Sequence, residues 1–226
     1  MQRDRRRFLT ASATFGAASF ASTTGYARVD AEEEEVSAPE DLMREHGVLN
    51  RILLIYEEGL RRLGAKDDVP PEVFQKPALL VRKFVEDYHE RLEENFIFPE
   101  FEKRKQLVDL VKVLRDQHQS GRRVTDVILR NAVADRFGKA DAQKEIEASC
   151  RAFIRMYRPH EAREDTVLFP ALHKIMPAER MKDLGEQFEK EEDRLFGEEG
   201  FEKTVEQVGV IEKQLGLYDL SQFTSK

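Results

Sequence analysis

Between Leu42 and Leu63, seven positions spaced alternately by four and three residues read Leu42, His46, Leu49, Leu53, Tyr56, Leu60 and Leu63. That spacing returns to one face of an α-helix and describes the seam by which a helix enters a bundle. The pattern recurs at Leu107, Val111, Leu114, His118, Gly121, Thr125 and Ile128. It recurs again at Ile146, Cys150, Phe153, Tyr157, His160, Glu164, Val167 and Ala171, and more loosely at Val81, Val85, His89, Leu92 or Glu93, and Phe96. Four long helices are therefore expected, each turning a histidine inward. The fold class read from this is all-α: an antiparallel up-down four-helix bundle with a pseudo-two-fold repeat, plus one or two C-terminal helices.

The helix limits follow from capping and breaking residues. Ser37 with Glu40 three positions later forms a capping box, so the first helix is expected from there to about Arg62, closed by Gly64 and the Asp67-Asp68-Val69-Pro70-Pro71 loop. The second is expected over about 78–98, interrupted by Pro99, the third over about 105–136, and the fourth over about 141–176 with bends at Pro159 and Pro170. Residues 177–226 read as further charged helices around Phe188, Leu195, Phe201, Val205, Val208 and Leu215.

An internal repeat sharpens the reading. His89-Glu90-Arg91-Leu92-Glu93-Glu94-Asn95-Phe96-Ile97-Phe98-Pro99 matches His160-Glu161-Ala162-Arg163-Glu164-Asp165-Thr166-Val167-Leu168-Phe169-Pro170 at His, Glu, Glu, Phe and Pro, 71 residues apart. The lone histidines His46 and His118 stand 72 apart. Two helical hairpins are thus written in succession, each offering His and then His-x-x-x-Glu. In a helix the glutamate stacks one turn from its histidine, on the same face. Folded antiparallel, the hairpins bring four imidazoles and two carboxylates to one level of the interior. A single histidine on an apolar face is most often a core residue satisfied by a neighbour. Two buried carboxylates are another matter, because each costs several kcal/mol unless paired, and nothing basic lies on the seams. Metal cations supply the missing charge. Imidazole with carboxylate, and no cysteine among the site candidates, selects iron, with manganese second, over structural zinc. The expected ligands are His46, His89, Glu93, His118, His160 and Glu164. Two histidines per ion and two bridging glutamates leave at least one position on each for water, hydroxide or a gas, and a bridging oxo or hydroxo group fits between the ions.

Composition excludes other classes. The net charge of −7, with acids and bases interspersed, contains no basic stripe for nucleic acid. One cysteine, Cys150, forms no intrachain disulfide. At the N-terminus, Arg5, Arg6, Phe8 and Leu9 within DRRRFLT, followed by a small-residue stretch from Thr10 to Ala21, resemble a bacterial twin-arginine export signal. The expected organisation is a signal peptide at residues 1–27, an acidic linker at 28–38, the bundle at 39–176 and a helical extension at 177–226. Removing residues 1–27, which carry four Arg and one Asp, takes the charge from −7 to −10. An exported, periplasmic protein is implied, meeting a membrane only transiently through its signal.

From Leu42 to His173 the residues resemble the hemerythrin-like, HHE cation-binding family, whose bundles carry His on the first and third helices and His with a carboxylate on the second and fourth. Carried over position by position, His46, His89, Glu93, His118, His160 and Glu164 correspond to its ligands, and the repeated Phe-Pro matches too. Oxygen-carrying members use a fifth histidine four positions after the first on the third helix, and an aspartate five after the last; Arg122 stands at the former place, and Glu164, four after the last histidine, is taken as the ligand in place of the aspartate. In that respect the chain is more similar to the bacterial iron-centre-repair proteins, which use two His-x-x-x-Glu pairs, without their cysteine-bearing leader. The resemblance implies a non-haem di-iron protein that binds or reacts with oxygen, nitric oxide or peroxide, by weak oxidase, peroxidase-like or NO-related chemistry. An iron-holding or iron-delivery protein without catalysis is the alternative.

Other residues are placed around this site. Tyr157, one turn before His160, is either a packing residue or a phenolate ligand. Glu45, Gln117 and Tyr88 neighbour the ligands and are candidates to orient imidazoles. Glu86 with His89 forms a Glu-x-x-His pair, but no glutamate stands at 157 to repeat it as a ferritin-like site requires. His173 falls off the seam and Cys150 reads as a small core residue.

Overall fold

A computed structural model describes residues 36–225, and every regular element among them is helical. The expected export signal and most of the acidic linker lie outside the described residues. Helix α1 (Ala38–Ala65) starts at the capping box: Glu40 Oε2 accepts from the Ser37 backbone N–H at 3.0 Å and from its hydroxyl at 2.8 Å. It closes on Lys66, whose left-handed backbone (φ 62) lets Asp67 N–H reach the Arg62 carbonyl at 3.0 Å. The seam Leu42, His46, Leu49, Leu53, Tyr56 and Leu60 is buried, as its period requires.

The second long helix, α2 (residues 72–104), begins six residues before the expected start and runs through both Pro77 and Pro99. Pro99 does not interrupt it, and the reason is local. A proline ring clashes with the carbonyl four residues back, here Asn95, and that residue lies in a stretch of wider π-helical turn, Glu93–Ile97. The fourth helix repeats the device: Pro170 sits four residues after Thr166, inside a π-helical stretch Glu164–Leu168. Each wide turn also slips the inward face by one residue. Phe96 and Val167, expected on the seam, are only half-buried; Ile97 with Phe98, and Leu168 with Phe169, take their places. A third wide stretch, Val81–His89, precedes the first His-x-x-x-Glu, and no proline or glycine there accounts for it.

Helix α3 (Val108–Asn131) starts after a tight turn in which Lys105 and Leu107 both take positive φ. It stops five residues before the expected Arg136, at a break followed by a single turn, Ala134–Phe137. Helix α4 (residues 140–175) is continuous through Pro159 and Pro170. Two more helices follow, α5 (Ala178–Phe196) and α6 (Gly200–Leu215). They cover the outside of α1 and α2. Arg51 grips Glu212 with two bonds of 2.9 and 2.6 Å, and Arg62 donates to the Leu215 carbonyl at 2.6 Å. Phe188 packs on Phe96, and Phe196 lies edge-on to Tyr88 with ring centres 5.5 Å apart. Among the described residues no helix is long and apolar enough to cross a membrane.

Candidate metal centre

All six residues singled out from the sequence meet inside the bundle, and none is more than 4% exposed. Helix α1 supplies His46, α2 His89 and Glu93, α3 His118, and α4 His160 and Glu164. The imidazoles form two pairs: His46 with His89, ring centres 4.8 Å apart, and His118 with His160, 5.0 Å apart with their Nε2 atoms separated by 3.2 Å. The two carboxylates lie between. Glu164 Oε2 is 3.4 Å from His46 Nε2 and 3.2 Å from His160 Nε2; Glu93 Oε2 is 3.7 Å from His89 Nε2 and 3.4 Å from His118 Nε2. Each glutamate thus reaches one imidazole of either pair, as a bridge does.

The imidazoles are held from outside through Nδ1. His46 Nδ1 lies 2.7 Å from Asp165 Oδ1, His89 Nδ1 2.7 Å from Glu45 Oε2, His118 Nδ1 3.1 Å from Glu94 Oε1, and His160 Nδ1 2.9 Å from Gln117 Oε1. With every Nδ1 turned outward to these oxygens, every Nε2 faces the centre. Phe169 stacks on His46 and Phe98 on His118, so the aromatic residue ahead of each repeated proline pins the lone histidine of the other hairpin.

Two carboxylates buried side by side set the electrostatics of the site. None of the four oxygens of Glu93 and Glu164 accepts a hydrogen bond, and among the described residues the nitrogens within ion-pairing reach are histidine Nε2 atoms. Burial, and then the charge of Glu164, pushes the Glu93 carboxyl well above its usual range. Burial pushes Glu164 up as well, but the His160 and His46 imidazoles outweigh it and hold that carboxyl well below. Burial opposes protonation of His46, but the neighbouring Asp165 and Glu164 carboxylates outweigh it and carry the imidazole to about 10. Burial takes His118 down to about 4 and His89 well below its ordinary value.

These residues fit a metal. Two nitrogen donors in neighbouring positions on one ion, each at about 2.1 Å, stand about 3 Å apart, which matches the His118–His160 pair. Nitrogen donors with hard carboxylate oxygens suit iron or manganese. Two groups of donors close enough to hold a metal ion, Glu93 with His118, His160 and Glu164, and Glu93 with His46 and His89, share Glu93.

Around this centre stand groups the seams alone do not reveal. Tyr157 donates its hydroxyl to Glu90 Oε1 at 2.6 Å, which turns it away from a ligand position. Arg122 forks between Glu90 (2.7 Å) and Glu94 (2.9 Å). Asn50 donates to Glu161. Burial raises the Glu90 and Glu161 carboxyls to about 8 each. Glu45 and Gln117 hold imidazoles as their places in the sequence suggest; Glu94 and Asp165 do the same and were not anticipated. Asp165 stands five positions after His160, where oxygen-carrying members place an aspartate ligand, yet it binds His46 from outside. The acid that follows Glu93 and Glu164 in the repeat was the available signal. His173 is exposed and Cys150 is buried in the core, its thiol pushed up by burial.

The hemerythrin HHE cation-binding domain model matches residues 37–172 and again residues 109–198. Uncharacterized proteins of Mycobacterium bovis and of two strains of Mycobacterium tuberculosis are 52% identical over 193 residues, 85% of this chain and 76% of theirs. No solved structure matches the chain. With its inward imidazoles and unpartnered carboxylates, and with more than half its length matched, the chain belongs to the hemerythrin HHE cation-binding family.

Proposed function

We propose that this chain is a non-haem di-iron protein in which His46, His89, His118 and His160 bind two irons and Glu93 and Glu164 bridge them. The supporting observation is the convergence of four Nε2 atoms on two buried carboxylates that, among the described residues, have no other partner. In this reading α1 to α4 form an antiparallel four-helix bundle with pseudo-two-fold symmetry, and α5 and α6 are an outer layer on it. Two carboxylates bridging and two imidazoles per ion make about four protein bonds each, short of the six an octahedral ion takes. Iron bound there supplies electrons to, or a binding position for, a small oxidant: oxygen, nitric oxide or peroxide. The chain's own residues fix the imidazole orientations through Nδ1, keep bulk water out and provide the compensating negative charge.

A second reading, an iron-holding protein without catalysis, is favoured by the enclosure of all six donors. Addition of oxygen or peroxide to the ferrous protein separates the two. Repeated turnover, or a reversible charge-transfer band, supports the first; an unchanged spectrum supports the second. The twin-arginine pattern at Arg5 and Arg6 supports export to the periplasm, which cell fractionation of the tagged full chain tests.

A further inference from the structure

The pseudo-symmetry of the site is broken at two positions, and both breaks act in the same direction. Glu94 and Asp165 are equivalent in the repeat, as are Glu45 and Gln117, and Asn50 and Arg122, at intervals of 71 or 72 residues. Equivalent residues make equivalent contacts. Asp165 holds His46 and Glu94 holds His118; Glu45 holds His89 and Gln117 holds His160. In the His46/His89 pair both outer acceptors are carboxyl groups. In the His118/His160 pair one acceptor is a neutral amide, and the other, Glu94, is neutralised by Arg122 at 2.9 Å. Among the described residues no cation takes that place in the first half, where Asn50 stands at the position of Arg122 in the second.

We infer that the two metal positions are electrically unequal: the ion at His46/His89 binds first and more tightly than the ion at His118/His160. This rests on the two-metal reading above. A carboxylate behind a bound imidazole makes it a stronger donor, and losing such a partner typically costs ten- to a hundredfold in metal affinity. Burial pushes the Glu45 carboxyl well above its usual range, so the secure difference is one formal charge, Asp165 against the Glu94–Arg122 pair, and a gap of about tenfold or more between the first and second binding constants is expected. The same field favours the higher-charged ion at His46/His89 whenever the two ions differ by one electron. Asp165, Glu45, Gln117 and Arg122 are positioning residues here; none touches the metal positions.

The test is anaerobic titration of the metal-free full chain with cobalt(II), followed by calorimetry and by the visible bands of the bound ion. Wild type should take two ions in resolved steps. Asp165→Asn, at a partly exposed site and nearly the same size, should weaken the tight step about tenfold and narrow the gap. Gln117→Glu should strengthen the weak step and narrow the gap from the other side. A merely structural role for these residues would lower both steps together. Two ions bound with indistinguishable constants, or both variants leaving the gap unchanged, would overturn the inference while leaving the two-metal reading standing. Uptake of fewer than two ions would overturn both.

Discussion

Replacing Glu93 by glutamine separates the metal account from a purely structural one. Glu93 is fully buried, neither oxygen accepts a hydrogen bond, and burial with the neighbouring Glu164 charge keeps it protonated well above the ordinary carboxyl range. In the metal-free protein burial and the Glu164 charge favour the neutral carboxyl, so Glu93→Gln exchanges side chains of equal size and should change stability by less than about 1.5 kcal/mol. With metal present the outcome differs. A ligand at a hundred times its dissociation constant adds about 2.7 kcal/mol per site, or about 5 kcal/mol for two. For a chain of this size each kcal/mol moves the melting temperature by about 2–4 °C, so loading should raise it by about 10–20 °C. Glu93 belongs to both donor groups, and an amide cannot supply the bridging charge, so the variant should keep at most half of that rise. The assay is anaerobic thermal unfolding with and without manganese(II), followed by circular dichroism. A variant with the full metal-induced rise would refute the reasoning. So would one that loses several kcal/mol without metal, since the carboxyl would then be serving the apo fold.

Metal-free protein should lose stability between about pH 6.5 and 8, as measured by urea midpoints in chelator. Glu90 and Glu161 (folded value about 8 against 4.5) and His46 (about 10 against 6.5) all hold protons that the unfolded chain has released in that window. Each contributes a fall of up to about 1.4 kcal/mol per pH unit; a midpoint rising across the window would contradict the assignment. Gly121→Ala should destabilise by about 1–3 kcal/mol, because a Cβ there overlaps the Tyr157 hydroxyl and comes 2.9 Å from Cζ. Combining it with Tyr157→Phe should cost less than the sum of the two changes, and strict additivity in denaturant unfolding would count against the contact. Arg51→Ala should loosen α6 from α1 and raise amide exchange in Gly200–Leu215, while leaving metal stoichiometry unchanged. A loss of bound metal in that variant would place α6 in the site rather than over it.

Much of this was legible in the residues because it follows from spacing. Seams with a histidine on each predicted four helices, and the repeat of His-x-x-x-Glu predicted that six donors would share one level. Those regularities are set by backbone geometry, which a period of 3.6 encodes directly. The misreadings fall where the period changes. Phe96 and Val167 were placed inward on a regular helix, but the wide turns ahead of Pro99 and Pro170 slip the face to Ile97 and Leu168. The same turns let α2 continue where a proline suggests a stop. Glu94, Asp165 and Arg122 look like surface charges in the sequence; only the crossing of one hairpin over the other brings them onto imidazoles and carboxylates 24 to 119 residues distant. How α5 and α6 dock was likewise unreadable, since single residues such as Glu212 and Phe196 fix it without any periodic signal.

The centre itself is tested most directly by iron analysis and X-ray absorption on anaerobically reconstituted protein. Two irons per chain are predicted, with nitrogen and oxygen neighbours and a metal–metal distance of about 3.5–4 Å, as for other paired sites. One iron or none per folded chain, or two without a neighbour at that distance, would contradict the bridged pair.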